Sequence, residues 1–468
     1  MSSPRVVVIG TGYVGLTTGA CLASLGHTVV CADTDQGKID RLTDGRIDIL
    51  EPGLADLVTA GTANGRLKCV STTESAFAHF LKRAEMVFLC VPTPMGAGGL
   101  ADLSILESVV KQISGVLSPD CTVVTKSTVP VGTATQLTRI LRRDDVAVVS
   151  NPEFLREGTA VRDFLHPDRI VVGSACREAA GRVAALYAPL GAPTVLTDAA
   201  SAELIKYAAN CFLAVKLSYA NAIAELCDRA GADVVDVAEG MGYDRRIGQE
   251  FLAPGPGWGG SCLPKDTSAL LQLADSMDFE FRLVRAAIDT NIRQHKRVVD
   301  KIRDVVTGTR LGSLSQVRLA LLGLTFKAGT NDLRDSPALA VAALLREAGA
   351  ELVAFDPAVN PGDERVADLP FAVTDNAYDA ARGADAIVVL TEWPEFRELD
   401  WPRLAAVVRA PSVVDTRNLL DPVSLGQAGF SWTGLGRPPH AVPTTTSTAS
   451  ILLDSAPVGS HALREALL

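Results

Sequence analysis

Val6-Val7-Val8-Ile9-Gly10-Thr11-Gly12-Tyr13-Val14-Gly15 runs from a β-branched segment into a G-x-G-x-x-G turn. An apolar, helix-forming run follows. A second strand-like run at 28–32 then ends on an acid, Asp33. Strand, glycine turn, helix, strand and acid in that order is a dinucleotide-binding fingerprint. Gly10 permits the tight turn, Gly12 lets backbone approach a pyrophosphate, and Gly15 lets helix and strand pack closely. The helix start offers unpaired N–H groups to the anion. Asp33 should accept hydrogen bonds from the adenosine ribose hydroxyls and repel a 2′-phosphate. Like unit charges 4 Å apart cost roughly 4 kcal/mol at an effective dielectric of about 20. The expected cofactor is therefore NAD, not NADP. Lys38, five residues on, is placed to reach the ribose or a phosphate.

Outward from this turn the alternation continues. Strand-like runs at 6–9, 28–32, 86–91, 122–126, 146–150 and 169–172 alternate with helix-like runs such as 102–117 and 133–143. That pattern argues for a parallel sheet covered on both faces. The period then changes. Residues 199–230 contain no Pro or Gly, with Asp198 available as a cap and Gly231 as a stop. A helix of that length runs roughly 45 Å, too long for one small domain, so it should bridge two. Helical pattern recurs at 266–274 and 282–306. A second α/β block begins near Val317, with strands expected at 319–322, 352–355, 386–390 and 412–415 and no second glycine fingerprint. The expected fold class is α/β: two Rossmann-like doubly wound domains joined by a long central helix. The expected divisions are 1–197 for NAD, 198–310 for a central helical domain, 311–440 for a second Rossmann-like domain, and 441–468 as a flexible tail rich in Thr, Ser, Ala and Pro.

The chain has 468 residues and a net charge of −10. An acidic balance argues against a nucleic-acid or anionic-membrane partner. No apolar run reaches the roughly 18 residues a membrane helix needs, and no signal peptide precedes the first strand, so a cytoplasmic protein is expected. The nine cysteines are odd in number, scattered and free of any C-x-x-C, which suits reduced thiols. The six histidines form no H-x-x-x-H and no cluster with cysteines, so no metal site is expected.

The chemistry concentrates in Gly255-Pro-Gly-Trp-Gly-Gly-Ser-Cys-Leu-Pro-Lys-Asp266. Crowded glycines let backbone come close to a ligand. A thiol beside a helix start and a lysine should have its thiolate favoured, so Cys262 is the candidate nucleophile. The other cysteines lie mostly in apolar runs and read as small buried hydrophobes.

This segment resembles the active-site signature of the UDP-glucose/GDP-mannose dehydrogenase family. Other pieces match in order: G-T-G-Y-V-G at Gly10, E-P-G-L at Glu51, V-P-T-P at Val91, S-T-V-P-V-G-T at Ser127, N-P-E-F-L-R-E-G at Asn151 and E-L-I-K-Y-A-A-N at Glu203. R-I-G at Arg246, F-K-A-G-T-N-D-L-R-D-S-P at Phe326 and D-T-R-N at Asp415 complete the set. The likeness spans about residues 5–437. It implies two successive NAD-dependent oxidations of one carbon, taking UDP-glucose at C6 to UDP-glucuronate through a cysteine thiohemiacetal and thioester. GDP-mannose is the rival substrate; the R-I-G triplet and Thr391-Glu-Trp-Pro-Glu-Phe396 look more like the UDP-glucose branch. A 3-hydroxyacid dehydrogenase would share the fingerprint but have no use for Cys262, and a non-catalytic NAD sensor would not need the whole residue set.

By the same resemblance, Lys206 and Asn210, four apart on one helix face, donate to the oxyanion. Asp266 and Thr128 hold a catalytic water, and Glu153 is the base that activates water. Gly10, Gly12, Tyr13, Val14, Gly15, Asp33, Lys38, Thr93, Thr128, Glu157, Lys265 and Arg334 are implied in binding NAD, with Glu157 at the nicotinamide end. Phe154, Leu155, Lys206, Asn210, Phe251 and Gly259 are implied around the sugar, and Phe326, Lys327 and Arg417 around the nucleotide. Arg246 is implied to serve a neighbouring subunit, hence at least a homodimer. Ala253 and Trp258 depart from the family pattern within the sugar-binding loop.

Overall fold

The structure is a computed structural model and describes residues 4–96, 99 and 101–440. The expected flexible tail at 441–468 lies outside the described residues. Two sheets organise the chain. The first contains β1 (Arg5–Ile9), β2 (Thr28–Asp33), β3 (Leu67–Ser71), β4 (Met86–Leu89), β5 (Thr122–Thr125), β6 (Ala147–Ser150), β7 (Ile170–Gly173) and β8 (Thr194–Thr197). Its order is β3-β2-β1-β4-β5-β6-β7-β8. The second contains β9 (Arg318–Leu322), β10 (Glu351–Phe355), β11 (Ala372–Val373), β12 (Ala386–Val389), β13 (Ser412–Asp415) and β14 (Ser431–Gly434), ordered β11-β10-β9-β12-β13-β14. Both follow the doubly wound 3-2-1-4-5-6 order, so each has a crevice at the carboxyl ends of its central strands, where the winding reverses.

The β-branched run at the start of the chain forms a central strand because both of its faces are covered. Val6 and Val8 pack with Leu16 and Ala20 of helix Tyr13–Ser24. Val7 and Ile9 pack with Leu106, Val110 and Leu137 on the other face. In the second sheet Leu319 and Leu321 meet Val341 and Leu345, while Ala320 and Leu322 meet Ala380 and Phe396.

The first sheet is parallel as expected apart from one pairing. β7 pairs with β6 antiparallel, at Ser150 and Gly173, and β8 then runs parallel to β7. A parallel return needs a crossover to the opposite end of the sheet. The connection after β6 instead turns back at the carboxyl end, around the six-residue helix Ala160–Leu165. This keeps residues 151–158 at the crevice.

The long helix spans Ala199–Ala230, about 48 Å at 1.5 Å per residue. Asp198 caps it by accepting from Ser201 N at 2.8 Å, and Gly231 ends it at φ 72°. Its buried side includes Glu203, Lys206, Tyr207, Asn210, Ala214, Ser218 and Asn221. Near its end Asp228 accepts from Lys301 Nζ at 2.8 Å and from Gly436 N at 3.0 Å, tying helix Arg282–Thr307 and the second sheet's domain to it.

Candidate active site

At the glycine turn, the space around each glycine separates their roles. Gly10 lies at φ 95°, and a Cβ there would stand 2.6 Å from the Cys90 carbonyl oxygen. A Cβ on Gly15 would stand 1.8 Å from the Gly10 carbonyl. Gly12 alone has nothing within 4 Å, so its backbone is open to a ligand. The turn therefore fits a pyrophosphate at Gly12. Asp33 Oδ2 accepts from Thr11 N at 2.8 Å and Thr11 Oγ1 at 2.7 Å, and Lys38 Nζ stands 3.5 Å from the same oxygen. Thr93 Oγ1 donates to the Thr128 carbonyl at 2.9 Å, joining two further expected cofactor residues.

The expected catalytic side chains converge from three elements. The long helix supplies Lys206 and Asn210, the loop after β6 supplies Glu153, and helix Leu263–Ser276 begins beside Cys262 and contains Asp266. Lys206 Nζ lies 3.0 Å from Glu153 Oε1, with both side chains almost wholly buried. Burial alone would pull the Lys206 pKa down, but Glu153, Cys262 and Asp266 more than offset it and the net shift is upward. Asn210 Nδ2 donates to Asp266 Oδ2 at 2.5 Å, and Lys265 Nζ reaches Asp266 Oδ1 at 2.7 Å. Asp266 is thus engaged by Asn210 and Lys265.

Cys262 is the residue at the helix start, and its sulfur lies 3.7 Å from Ser261 Oγ. The expectation of a favoured thiolate is corrected. Burial pushes the thiol up; Lys206 pulls it down, while Glu153 and Asp266 push it further up. The glycines ahead of it are packed against the second domain. A Cβ on Gly259 would stand 1.9 Å from the Asp335 carbonyl oxygen, and one on Gly260 would stand 2.7 Å from the Phe326 ring. Trp258 is buried, and its Nε1 donates to Ser218 Oγ of the long helix at 2.8 Å. The indole is thereby packed against the long helix.

Glu157 bridges the two halves: it accepts from Ser261 Oγ at 3.3 Å and Thr330 Oγ1 at 3.2 Å, with Arg334 3.5 Å away. Leu155 N donates to Glu153 Oε2 at 2.6 Å. The Phe154 ring carries the Arg169 guanidinium 3.6 Å from its centroid. On the second sheet Arg417 donates to the carbonyls of Leu390 and Phe326 at 2.9 and 3.2 Å and pairs with Glu392 at 3.0 Å. Burial lowers the pKa of Lys327. Phe251 adopts φ 63° on the same loop as Gly259. Arg246 is not brought into this cluster: its side chain is 89% exposed and, among the described residues, pairs only with Asp244.

Three participants carried no assigned role in the sequence reading. Glu203 is buried and accepts from Gly132 N at 2.6 Å and Ala134 N at 2.8 Å, fixing the segment that bears Thr128. Lys126 is buried behind Glu153 and donates to Asn151 Oδ1 at 3.2 Å, and burial pulls its pKa down to about 8. It borders a cavity of about 200 Å³ shared with Phe154, Phe164, Arg169 and Tyr187. Glu51 accepts from Gly158 N at 2.8 Å. Glu203 and Glu51 lie in segments already singled out, E-L-I-K and E-P-G-L. A charged residue within an otherwise apolar stretch was the available signal.

Comparison with known proteins gives three family matches. The NAD binding domain of the UDP-glucose/GDP-mannose dehydrogenase family matches residues 4–191, its central domain 200–293, and its UDP binding domain 320–422. The chain is 44% identical over 444 residues to a UDP-glucose 6-dehydrogenase of Rhizobium meliloti, covering 93% of this chain and 100% of that one. It is 42% identical over 439 residues to UDP-glucose 6-dehydrogenase TuaD of Bacillus subtilis, covering 93% of each. A solved UDP-glucose dehydrogenase from Pyrobaculum islandicum superposes with a TM-score of 0.82 at 32% identity, covering 93% of this chain and 98% of that one.

Proposed function

The chain belongs to the UDP-glucose/GDP-mannose dehydrogenase family, and on that premise we propose that it oxidises UDP-glucose at C6 to UDP-glucuronate with NAD, through a covalent adduct on Cys262. The observation that carries the covalent reading is the buried convergence of Lys206, Glu153, Asn210 and Asp266 around the Cys262 loop.

NAD supplies the hydride acceptor in each oxidation. Once the first oxidation has given the C6 aldehyde, the Cys262 thiol releases its proton to solvent, the thiolate adds to that carbon and the carbonyl π pair moves to oxygen. Lys206 and Asn210 stabilise this oxygen by donating hydrogen bonds. Loss of the hydride from the same carbon leaves a thioester. Glu153 takes a proton from water, the resulting hydroxide adds to the thioester, and the carbon–sulfur bond breaks with the pair returning to sulfur. In sum the alcohol and one water give a carboxylate, two NADH and three protons. Asp266 and Thr128 hold the water in this reading. Lys206 changes partner from Glu153 to the substrate oxygen during the cycle.

Gly10, Gly12, Tyr13, Val14, Gly15, Asp33, Lys38, Thr93, Thr128, Glu157, Lys265 and Arg334 line the cofactor in this reading. Phe154, Leu155, Phe251 and Gly259 line the sugar, and Phe326, Lys327 and Arg417 the uridine diphosphate. A dianionic diphosphate in an acidic protein needs such local cations. The divisions at 197/198, 310/311 and 440/441 separate cofactor, central and nucleotide portions and the tail.

The active form is a homodimer or larger assembly. Phe212, Tyr219 and Leu226 repeat every seven residues along the long helix and are 66%, 53% and 59% exposed, an apolar seam suited to a second helix. Arg246, free of its own chain's cluster, serves the partner's site. No helix among the described residues is long and apolar enough to cross a membrane. Nine unpaired cysteines suit the reducing cytoplasm.

The test is NADH formation with UDP-glucose, GDP-mannose and N-acetylated UDP-hexoses. Two NADH per UDP-glucose consumed, and fastest turnover of that sugar, is expected. One NADH per sugar would remove the second oxidation, and faster turnover of GDP-mannose would move the chain to the other substrate.

A further inference from the structure

The motif Glu51-Pro52-Gly53-Leu54 takes no part in the chemistry above. It forms a tight turn, with Leu54 N donating to the Glu51 carbonyl at 3.2 Å. Pro52 presets the second position, and Gly53 holds φ 81°, ψ −9° at the third. That is a type II turn, whose third position favours glycine. Leu54 is wholly buried in the core that contains Leu16 and Val161. With Leu54 anchored, the turn carries Glu51 inward, to 7% exposure. No lysine or arginine pairs with it among the described residues.

The Glu51 carboxylate is held by backbone donors more than 100 residues away. Oε2 accepts from Gly158 N at 2.8 Å, Oε1 from Val161 N at 3.3 Å, and Ala160 N also points to it. These N–H groups close the loop that bears Glu153 and Glu157. Gly158 is itself wedged against the second domain, since a Cβ there would stand 2.7 Å from the Gly329 carbonyl oxygen. On its other side Glu51 faces Tyr13, the first residue of the helix after the glycine turn. The Tyr13 hydroxyl is buried there without a hydrogen bond of standard geometry.

We propose that Glu51 is a positioning residue that clamps the 151–158 loop to the cofactor turn, setting Glu153 and Glu157 in register with the cofactor. The inference rests on the roles given to those two residues above. It requires a carboxylate: three N–H donors converge on two acceptor oxygens, and a glutamine would turn its own NH₂ toward at least one of them.

Glu51→Gln is the first test, read by kcat, by KM for each substrate and by thermal melting. A misplacement of about 1 Å at a reacting centre costs on the order of 100-fold, so kcat should fall about 10- to 100-fold. KM for UDP-glucose and the affinity for NADH should stay within about threefold. Glu51→Asp, which keeps the charge but withdraws it by one methylene, should recover part of the loss; it also decides the matter if the glutamine variant does not fold. Combined with Tyr13→Phe, the loss should be non-additive. An unchanged kcat with a lowered melting temperature would overturn the proposal and make Glu51 a brace of the fold. Loss of NADH affinity at unchanged kcat would overturn it in favour of a cofactor contact. The ratio of variant to parent kcat is read whether or not a covalent adduct forms, so failure of the Cys262 route and failure of this clamp are distinguishable.

Discussion

Cys262 sits where burial and charge pull in opposite directions. Its thiol is raised by burial and lowered by Lys206, so little thiolate is present near neutral pH and the fraction grows as pH rises. Alkylation of Cys262 by iodoacetamide, followed by peptide mass mapping with exposed Cys176 as the internal reference, should still be accelerating at pH 9. Replacing Lys206 with Met should slow it further. A rate that levels off below pH 7 would contradict this balance. The glycine turn gives a second residue-level test. Gly12→Ala adds a methyl into open space, whereas Gly15→Ala drives one into the Gly10 carbonyl. Gly12→Ala should keep the parent melting temperature and raise KM for NAD at least about tenfold, because the methyl stands where a pyrophosphate must approach. Gly15→Ala should lower the melting temperature itself. Equal melting losses in both would show that Gly12 has no ligand-facing role.

Among the elements, the long helix was the most legible from sequence. Thirty-two residues without Pro or Gly, an Asp to accept from the first turn and a Gly to end it are local instructions, and the helix has those ends. The glycine-turn unit was legible for the same reason. Short edge strands were not: Thr194–Thr197 is mostly exposed and Ala372–Val373 has two residues, so neither carries an apolar run. The reversal of β7 was hidden because strand direction depends on which end of the sheet the preceding connection occupies. In the site, the glycine-rich segment alone pointed to Cys262, whereas Lys206 and Glu153 were singled out only through the family resemblance. The burial that raises the Cys262 thiol, the Trp258–Ser218 bond and the inward carboxylate of Glu51 depend on neighbours distant in sequence. The helix also carries a prediction. Phe212→Glu with Tyr219→Glu would place like charges across the apolar seam; if the proposed dimer forms there, sedimentation should show a shift toward monomer, with activity lost in parallel because the proposed service of Arg246 to a partner is lost. An active monomer would contradict the dimer.

Across the whole molecule the two sheets repeat one winding order, and each ends its second strand near an acid. Asp33 closes β2 beside the open glycine turn. Asp356 follows β10, accepting from Leu324 N at 2.7 Å, Thr325 N at 3.0 Å and Trp393 Nε1 at 3.2 Å. Both acids accept from the turn that follows the first strand, but Asp33 keeps partial exposure beside the open Gly12 backbone whereas Asp356 is buried. The Cys262 loop lies where the long helix, the 151–158 loop and the second domain meet, with Gly259 against Asp335 and Glu157 against Thr330. An intermediate held on Cys262 is thereby within reach of both halves. In the mechanism we propose, Glu153→Gln removes the base that releases this intermediate and keeps the thiol, so the adduct should accumulate. The most direct measurement is intact-protein mass spectrometry of Glu153→Gln after mixing with NAD and UDP-glucose, beside a Cys262→Ala control. A sugar-nucleotide adduct that maps to Cys262, together with no UDP-glucuronate from Cys262→Ala, is the expected result. An unmodified Glu153→Gln protein, with Cys262→Ala making UDP-glucuronate at the parent rate, would contradict the covalent route.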